Sequence, residues 1–287
     1  MPLIHNPHRI LLVMLLVSPA APLICQPEPG LSAADQAQRQ VTAYLAKLAD
    51  LHCTELVKQE KLTGNGHVQD TEQAKYDYLI MIDGNGDEFQ LNESRIESSA
   101  THHKSLPMMV TNGFSTVLLV FHPYYRDSFT FSTGPDEEIN GITAVPIHFS
   151  HIPGRRTPAA LALRGREYPL DLKGTAWLNK QTGDVLKIDA GLLHDMEDIG
   201  LRSLSIHVEY KPEELGKADT AIALPTLAVV DVTTPRQHWR NTHVFDSYKS
   251  FSTDAEQNPD VKIHADNATP DNSNTAVVVV QNPKEKP

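Results

Sequence analysis

Cysteine is nearly missing: Cys25 and Cys53 are the two thiols in 287 residues. Cys25 falls beside an expected processing zone, which leaves one thiol in the mature chain, and a lone thiol closes no internal disulfide. A disulfide-stapled scaffold is therefore excluded, and Cys53 reads as a small buried apolar residue. Long hydrophobic runs are scarce as well. The run Ile10–Val17 is far shorter than the roughly 20 residues a membrane-spanning helix needs. Basic charge is in deficit, with 25 Lys and Arg against 36 Asp and Glu and a net charge of −11. Such a balance repels phosphates, and Arg155-Arg156 and Arg164/Arg166 are the densest local positives, so nucleic acid is not an expected partner.

Signatures of catalysis are also lacking. Asn112-Gly-Phe-Ser115 does not make a Gly-x-Ser-x-Gly elbow, and neither a phosphate-cradling Gly-x-x-x-x-Gly-Lys-Ser/Thr nor a dinucleotide Gly-x-Gly-x-x-Gly occurs. Asp83-Gly-Asn-Gly-Asp87 resembles the start of a calcium loop. Glu88 and Ser94 then stand where Gly and Glu are needed, so a hairpin turn is the better reading. Histidine is plentiful, at 14 residues, but His148 and His151 are three apart in an expected strand, which puts them on opposite faces. No catalytic residue, metal site or cofactor is expected, and the protein reads as a non-enzyme.

What the chain does have begins with an export signal. Polar His5, His8 and Arg9 precede the apolar run, and Ser18 and Ala20 supply the small residues of a cleavage site. Residues 1–26 are read as a signal peptide and the protein as exported, periplasmic or extracellular, with no transmembrane segment in the mature chain. Attachment as an outer-membrane lipoprotein through Cys25 is disfavoured by the bulky Ile24 before it. At the other end, residues 252–287 are rich in Asn, Asp, Pro, Thr and Lys and are expected to be disordered, apart from the short run Val277–Val280.

Between these ends, residues 27–251 read as one α+β domain. Ser32 caps an expected helix over 31–51, with Val41, Leu45 and Leu48 on one stripe. Strand patterns follow at Leu56–Leu62 and through Tyr76, Tyr78, Ile80 and Ile82, which turn at Gly84-Asn85-Gly86 toward Phe89 and Leu91. A polar loop is expected at 97–106, a second helix at 113–121 ending before Pro123, and an exposed loop at 153–158. Further strands are expected at Phe129 and Phe131, 142–149, 174–178, 184–188, 203–210, 227–232 and 240–251. The absence of a strand–helix–strand rhythm predicts a curved antiparallel sheet packed on one or two helices.

Three stretches carry a resemblance: Gly174-Thr-Ala-Trp-Leu-Asn-Lys-Gln-Thr-Gly-Asp-Val-Leu-Lys-Ile188, Leu224-Pro-Thr226 and Phe245-Asp-Ser-Tyr-Lys-Ser-Phe251. Their order resembles the LolA/LolB-like half-barrel superfamily of outer-membrane lipoprotein-sorting proteins, nearest to secreted members of unassigned function. Segments 97–125 and 153–172 look like additions to it. The resemblance implies a half-barrel with an apolar cavity that would hold a lipid, a lipoprotein acyl chain or another apolar ligand. Phe129, Phe131, Trp177, Ile206 and Val208, all on apolar strand faces, are the expected lining. The alternative is a structural or interaction protein of the envelope, its half-barrel plugged and its partner an envelope protein.

Overall fold

A computed structural model describes residues 32–48, 51–83, 90–101, Thr111, 114–163, 166–215 and 221–250. The expected signal peptide, the expected turn at Gly84–Asp87 and the expected C-terminal tail with its valine run lie outside the described residues. Helix α1, Ala33–Leu48, opens the fold. Ser32 Oγ accepts the Asp35 amide at 3.2 Å and so satisfies one of the free N–H groups at the helix start. Ala37, Val41 and Leu45 form the buried stripe.

Among the described residues thirteen strands follow: β1 Leu51–Leu62, β2 Val68–Asp83, β3 Gln90–Thr101, β4 Phe129–Thr133, β5 Glu137–Ile139, β6 Ile142–His151, β7 Ala160–Leu163, β8 Arg166–Pro169, β9 Leu172–Asn179, β10 Val185–Leu192, β11 Ser203–Glu213, β12 Ile222–Thr233 and β13 His238–Ser250. Eleven of them form one curved antiparallel sheet in the order β3-β2-β1-β13-β12-β11-β10-β9-β6-β4, with β5 on β6. The sheet stays open, its outermost strands being β3 and β4, and β7 and β8 make a separate pair. This is the expected half-barrel.

The hairpin β9–β10 shows how local chemistry builds the sheet. Asn179 Oδ1 accepts the Gln181 amide at 2.8 Å, and Gly183 takes φ 78°, a left-handed conformation suited to glycine. Gly174 has a different task. A Cβ there would lie 2.6 Å from Phe149 Cζ and also strike the Asp189 carbonyl. Gly174→Ala is therefore expected to cost about 1–3 kcal/mol through overpacking, read as a lower urea midpoint. An unchanged midpoint would show that both Phe149 and the β10 backbone at Asp189 and Ala190 can give way.

Four departures from the sequence reading have physical causes. β3 runs to Thr101, so 97–101 is strand and not loop: it pairs with β2 and leaves Glu97 and Ser98 exposed. Residues 114–121 form a 3-10 helix that is buried from Val117 through Phe121, without a polar face. A segment apolar on all sides belongs in the interior. Helical structure also does not end at Pro123. A second α-helix, α2 Pro123–Arg126, starts there, because proline lacks only an N–H that the first turn leaves free; the Tyr124 amide donates to His122 Nδ1 at 3.2 Å. Finally, the 153–158 loop is exposed only through Arg156. Thr157 is buried and donates to the Leu170 carbonyl at 2.7 Å, which helps seat the unforeseen β7–β8 pair.

Candidate functional site: the interior of the half-barrel

Alternation sets the two faces of the sheet. On β11, Leu204, Ile206, Val208 and Tyr210 are buried, whereas Ser203 and Ser205 are exposed and His207 and Glu209 half-buried. Buried residues of β6, β9, β10 and β12, among them Ile147, Leu172, Ile188 and Val230, join the same core as α1 and the 3-10 helix. Each such side chain contributes roughly 1.5–3 kcal/mol by leaving water. Phe121 sits among aromatic neighbours, stacked on Phe131 at 5.4 Å and edge-on to Phe149 at 6.1 Å.

The packing leaves a cavity of about 70 Å³ between α1, the 3-10 helix and strands β10–β12. Val41, Leu118, Val185 and Ile222 supply apolar wall, and Ala43 and Ala221 are exposed at its rim, so it reaches the surface. Tyr44 and Tyr210 also line it. Both hydroxyls are buried without a hydrogen-bond partner among the described residues, a condition that costs roughly 1–3 kcal/mol per group. Burial pushes both phenols well above their ordinary range, so they remain protonated donors. Near the rim, Gln40 Nε2 donates to the Thr182 carbonyl at 2.8 Å, tying α1 to the β9–β10 turn.

The other part of the concave face is polar and buried. Glu55 on β1 receives Arg95 Nε at 2.5 Å and Nη2 at 2.7 Å, a two-point pairing between β1 and β3. His243 Nδ1 lies 2.8 Å from Glu55 Oε1, and its Nε2 lies 2.8 Å from Thr111 Oγ1. Asn241 Nδ2 donates to that same hydroxyl at 2.9 Å, and Arg95 Nη1 donates to the Thr111 carbonyl at 3.2 Å. Donor accounting assigns the tautomer: Nδ1–H faces the carboxylate, and Nε2 accepts the threonine proton. Burial lowers the His243 pKa and outweighs the neighbouring carboxylate. For Glu55 the balance reverses: burial raises its pKa, but the His243 hydrogen bond and the Arg95 charge bring it below the ordinary value.

Hydroxyl, imidazole and carboxylate in line have the connectivity of a nucleophile relay. Two features give it the character of a structural tie. Arg95 already neutralises Glu55, and Thr111 is 3% exposed, with its oxygen both donating to His243 and accepting from Asn241. Among the described residues, no group of three or more His, Cys, Asp or Glu is placed to hold a metal ion. His148 is exposed and His151 buried, on opposite faces of β6. No described helix is long and apolar enough to cross a membrane.

The expected lining residues separate. Phe129, Ile206 and Val208 are buried in the core and Phe131 is half-buried against it, but none of them lines the cavity. Trp177 is a correction. It alternates with buried Ala176 and Leu178 and so projects from the outer face. There its indole N–H donates to Glu137 at 2.8 Å, and Lys187 Nζ stands 3.8 Å from the ring centre. Trp177 was read as lining because it was placed on an apolar strand face, whereas the small Ala176 is the one that faces the interior. Tyr44 and Tyr210 were missed as cavity residues. Tyr210 falls in register with Ile206 and Val208, which was the available signal.

No protein-family model matches the chain, and no curated protein matches it. Solved structures similar in fold include a DUF1329 family protein from Desulfovibrio piger (13% identity, 76% of this chain and 92% of that one, TM-score 0.42). A LolA superfamily protein from Nitrosomonas europaea is also similar (10%, 77% and 94%, 0.34). So is an outer-membrane lipoprotein-sorting protein domain from Vibrio parahaemolyticus (11%, 76% and 94%, 0.38). At such identities the likeness concerns the course of the chain alone.

Proposed function

We propose that this chain is an exported, non-enzymatic binding protein of the cell envelope that takes a lipid, a lipoprotein acyl chain or another apolar ligand into its half-barrel. The observation that carries this reading is the surface-reaching cavity beside α1. Its present volume is far below the roughly 300–1,000 Å³ of a ligand site. Among the described side chains of α1, Ala37, Val41 and Leu45 are buried, Tyr44 packs partly against the core, and Gln40 and Asp35 hold the helix through Thr182 and Arg126. Lifting α1 exposes the apolar face beneath and enlarges the site. Residues 1–26 as signal and 252–287 as tail belong to the same proposal.

The corrected position of Trp177 dictates the test. Titrating acyl probes against wild type would mix an outer-face tryptophan with the buried Trp239, which is 7% exposed. In a Trp177→Phe variant, Trp239 alone reports on the interior. A saturable change in its emission, with lipid recovered by mass spectrometry from the native preparation, is the expected result. No saturable change together with no recovered lipid overturns the reading. A plugged scaffold is favoured by one observation, the filling of the interior by the 3-10 helix, and that negative result is what a scaffold predicts.

A further inference from the structure

We infer that the outer face of β12, β13 and β1 is a self-association surface, on which two copies of this chain meet about a two-fold axis along β13. Four large apolar side chains are exposed among the described residues, and two of them are neighbours: Leu56 is 42% and Val244 39% exposed. They stand directly opposite each other in the β1–β13 ladder, and Leu227 on β12 stands opposite Val244 on the other side. Residues so paired project from the same face of a sheet. Leu227 is half-buried, as is Val229 two positions along β12. The inner face of these strands carries Glu55, Ala228, Val230, His243 and Phe245, all buried, so the apolar row belongs neither to the core nor to the cavity beside α1.

The ends of the row select the occupant. Lys75 on β2 stands in register with Leu56, and Glu209 on β11 with Leu227. Across five adjacent strands the outer face therefore reads Lys75, Leu56, Val244, Leu227, Glu209. A two-fold axis along the middle strand turns this row end for end. Val244 then faces Val244 of the second copy, each Leu56 faces a Leu227, and each Lys75 faces a Glu209. That is the self-complementarity an isologous interface requires. Lys75 is exposed, and Glu209 keeps 44% of its side-chain surface in water while lying 3.3 Å from His207 Nε2. The shape agrees with the charge. The sheet bends toward its inner face, so two outer faces diverge away from the axis; short apolar side chains meet at the centre, and the longer Lys and Glu span the widening gap. Asp246 bounds the contact. It is exposed two positions beyond Val244, where the axis brings it against its own copy, so the apolar contact extends the other way, over Thr242 and Val229. The buried area is small, which makes the association weak and reversible.

The test is sedimentation equilibrium of the full-length chain over a concentration series, with urea midpoints measured in parallel. A monomer–dimer equilibrium is expected. Val244→Asp sets two carboxylates on the axis and is expected to leave the chain monomeric with its fold intact. Glu209→Lys puts like charges together at both ends of the row and is expected to weaken association by about fivefold or more. Adding Lys75→Glu reverses both ends and is expected to restore it. Asp246→Asn removes the like-charge contact on the axis and is expected to tighten the dimer. Where Val244→Asp lowers the urea midpoint, the charge-reversal pair decides alone. A chain that stays monomeric up to about 1 mM overturns the inference. A dimer that persists in a folded Val244→Asp variant overturns it and places the contact on another surface. Failure of the double reversal to restore association removes the two-fold register and the inference with it. Dimers that form only after residues 252–287 are deleted also overturn it and assign the face to the chain's own tail.

Discussion

Arg95→Met is expected to destabilise the fold by about 3–5 kcal/mol, since it leaves the Glu55 carboxylate buried without its cation. The loss comes from the stranded charge more than from the pair. The double variant Glu55→Met/Arg95→Met is therefore expected to lose less than Arg95→Met alone, although His243 then lacks its acceptor. Urea unfolding of the wild type and the three variants closes the cycle. A loss below about 1 kcal/mol for Arg95→Met would show that water reaches Glu55.

The same network makes stability depend on acid. His243 is held neutral when folded, with its pKa below the ordinary 6.5. Below pH 6.5 the unfolded chain takes up a proton that the folded chain refuses, so stability falls as pH drops through the folded pKa. Glu55 acts in the same direction beneath the ordinary glutamate value of 4.5, since its folded pKa is also lowered. His207 on the outer face opposes this. Burial lowers its pKa, but hydrogen bonds to Asp189 and Glu209 raise it overall, so its contribution is present in acid and lost as pH rises. The buried pair is expected to dominate. A urea midpoint that falls between pH 7 and pH 4, less steeply in His243→Asn, is the corresponding measurement.

Phe121→Ala is expected to cost about 3–5 kcal/mol, as full truncations of buried aromatics do. Phe121 is 0% exposed, and Phe131 and Phe149 contact its ring from two sides. Around it the sheet is cross-bridged by β ladders on β4 and β6, so collapse of neighbouring groups into the void is limited. A cost under about 1.5 kcal/mol would mean that the 3-10 helix settles into the space. The void is also informative for function. If the interior accepts hydrocarbon, short alkanes or benzene are expected to raise the melting temperature of Phe121→Ala and not that of the wild type.

How far the fold could be read in advance varied with the range of the interactions that decide each part. The β9–β10 hairpin was legible because its turn residues, Asn179 to Gly183, act within a few positions of one another. The start of α1 was legible for the same reason, with Ser32 and Asp35 three residues apart. The β7–β8 pair was not, because its seat depends on Thr157 meeting the Leu170 carbonyl across the loop. The Glu55–Arg95–His243 cluster left no local trace either. Its members are 40 and 188 residues apart and meet only because β13 returns to pair with β1, while β2 brings β3 to its other side.

Residue order alone determined the antiparallel class of the fold, the capped amphipathic helix and the alternation of each main strand, since all three follow from period, turn chemistry and capping over short distances. It did not determine which alternate face points inward. Trp177 and Ala176 are equivalent by periodicity, and curvature of the whole sheet around α1 and the 3-10 helix turned the smaller one inside. Nor did it determine that Tyr44 and Tyr210 would line one cavity, because that depends on how a helix early in the chain lies against a strand some 160 residues later. Contacts between distant segments are set by packing, and packing exists only once the chain has folded.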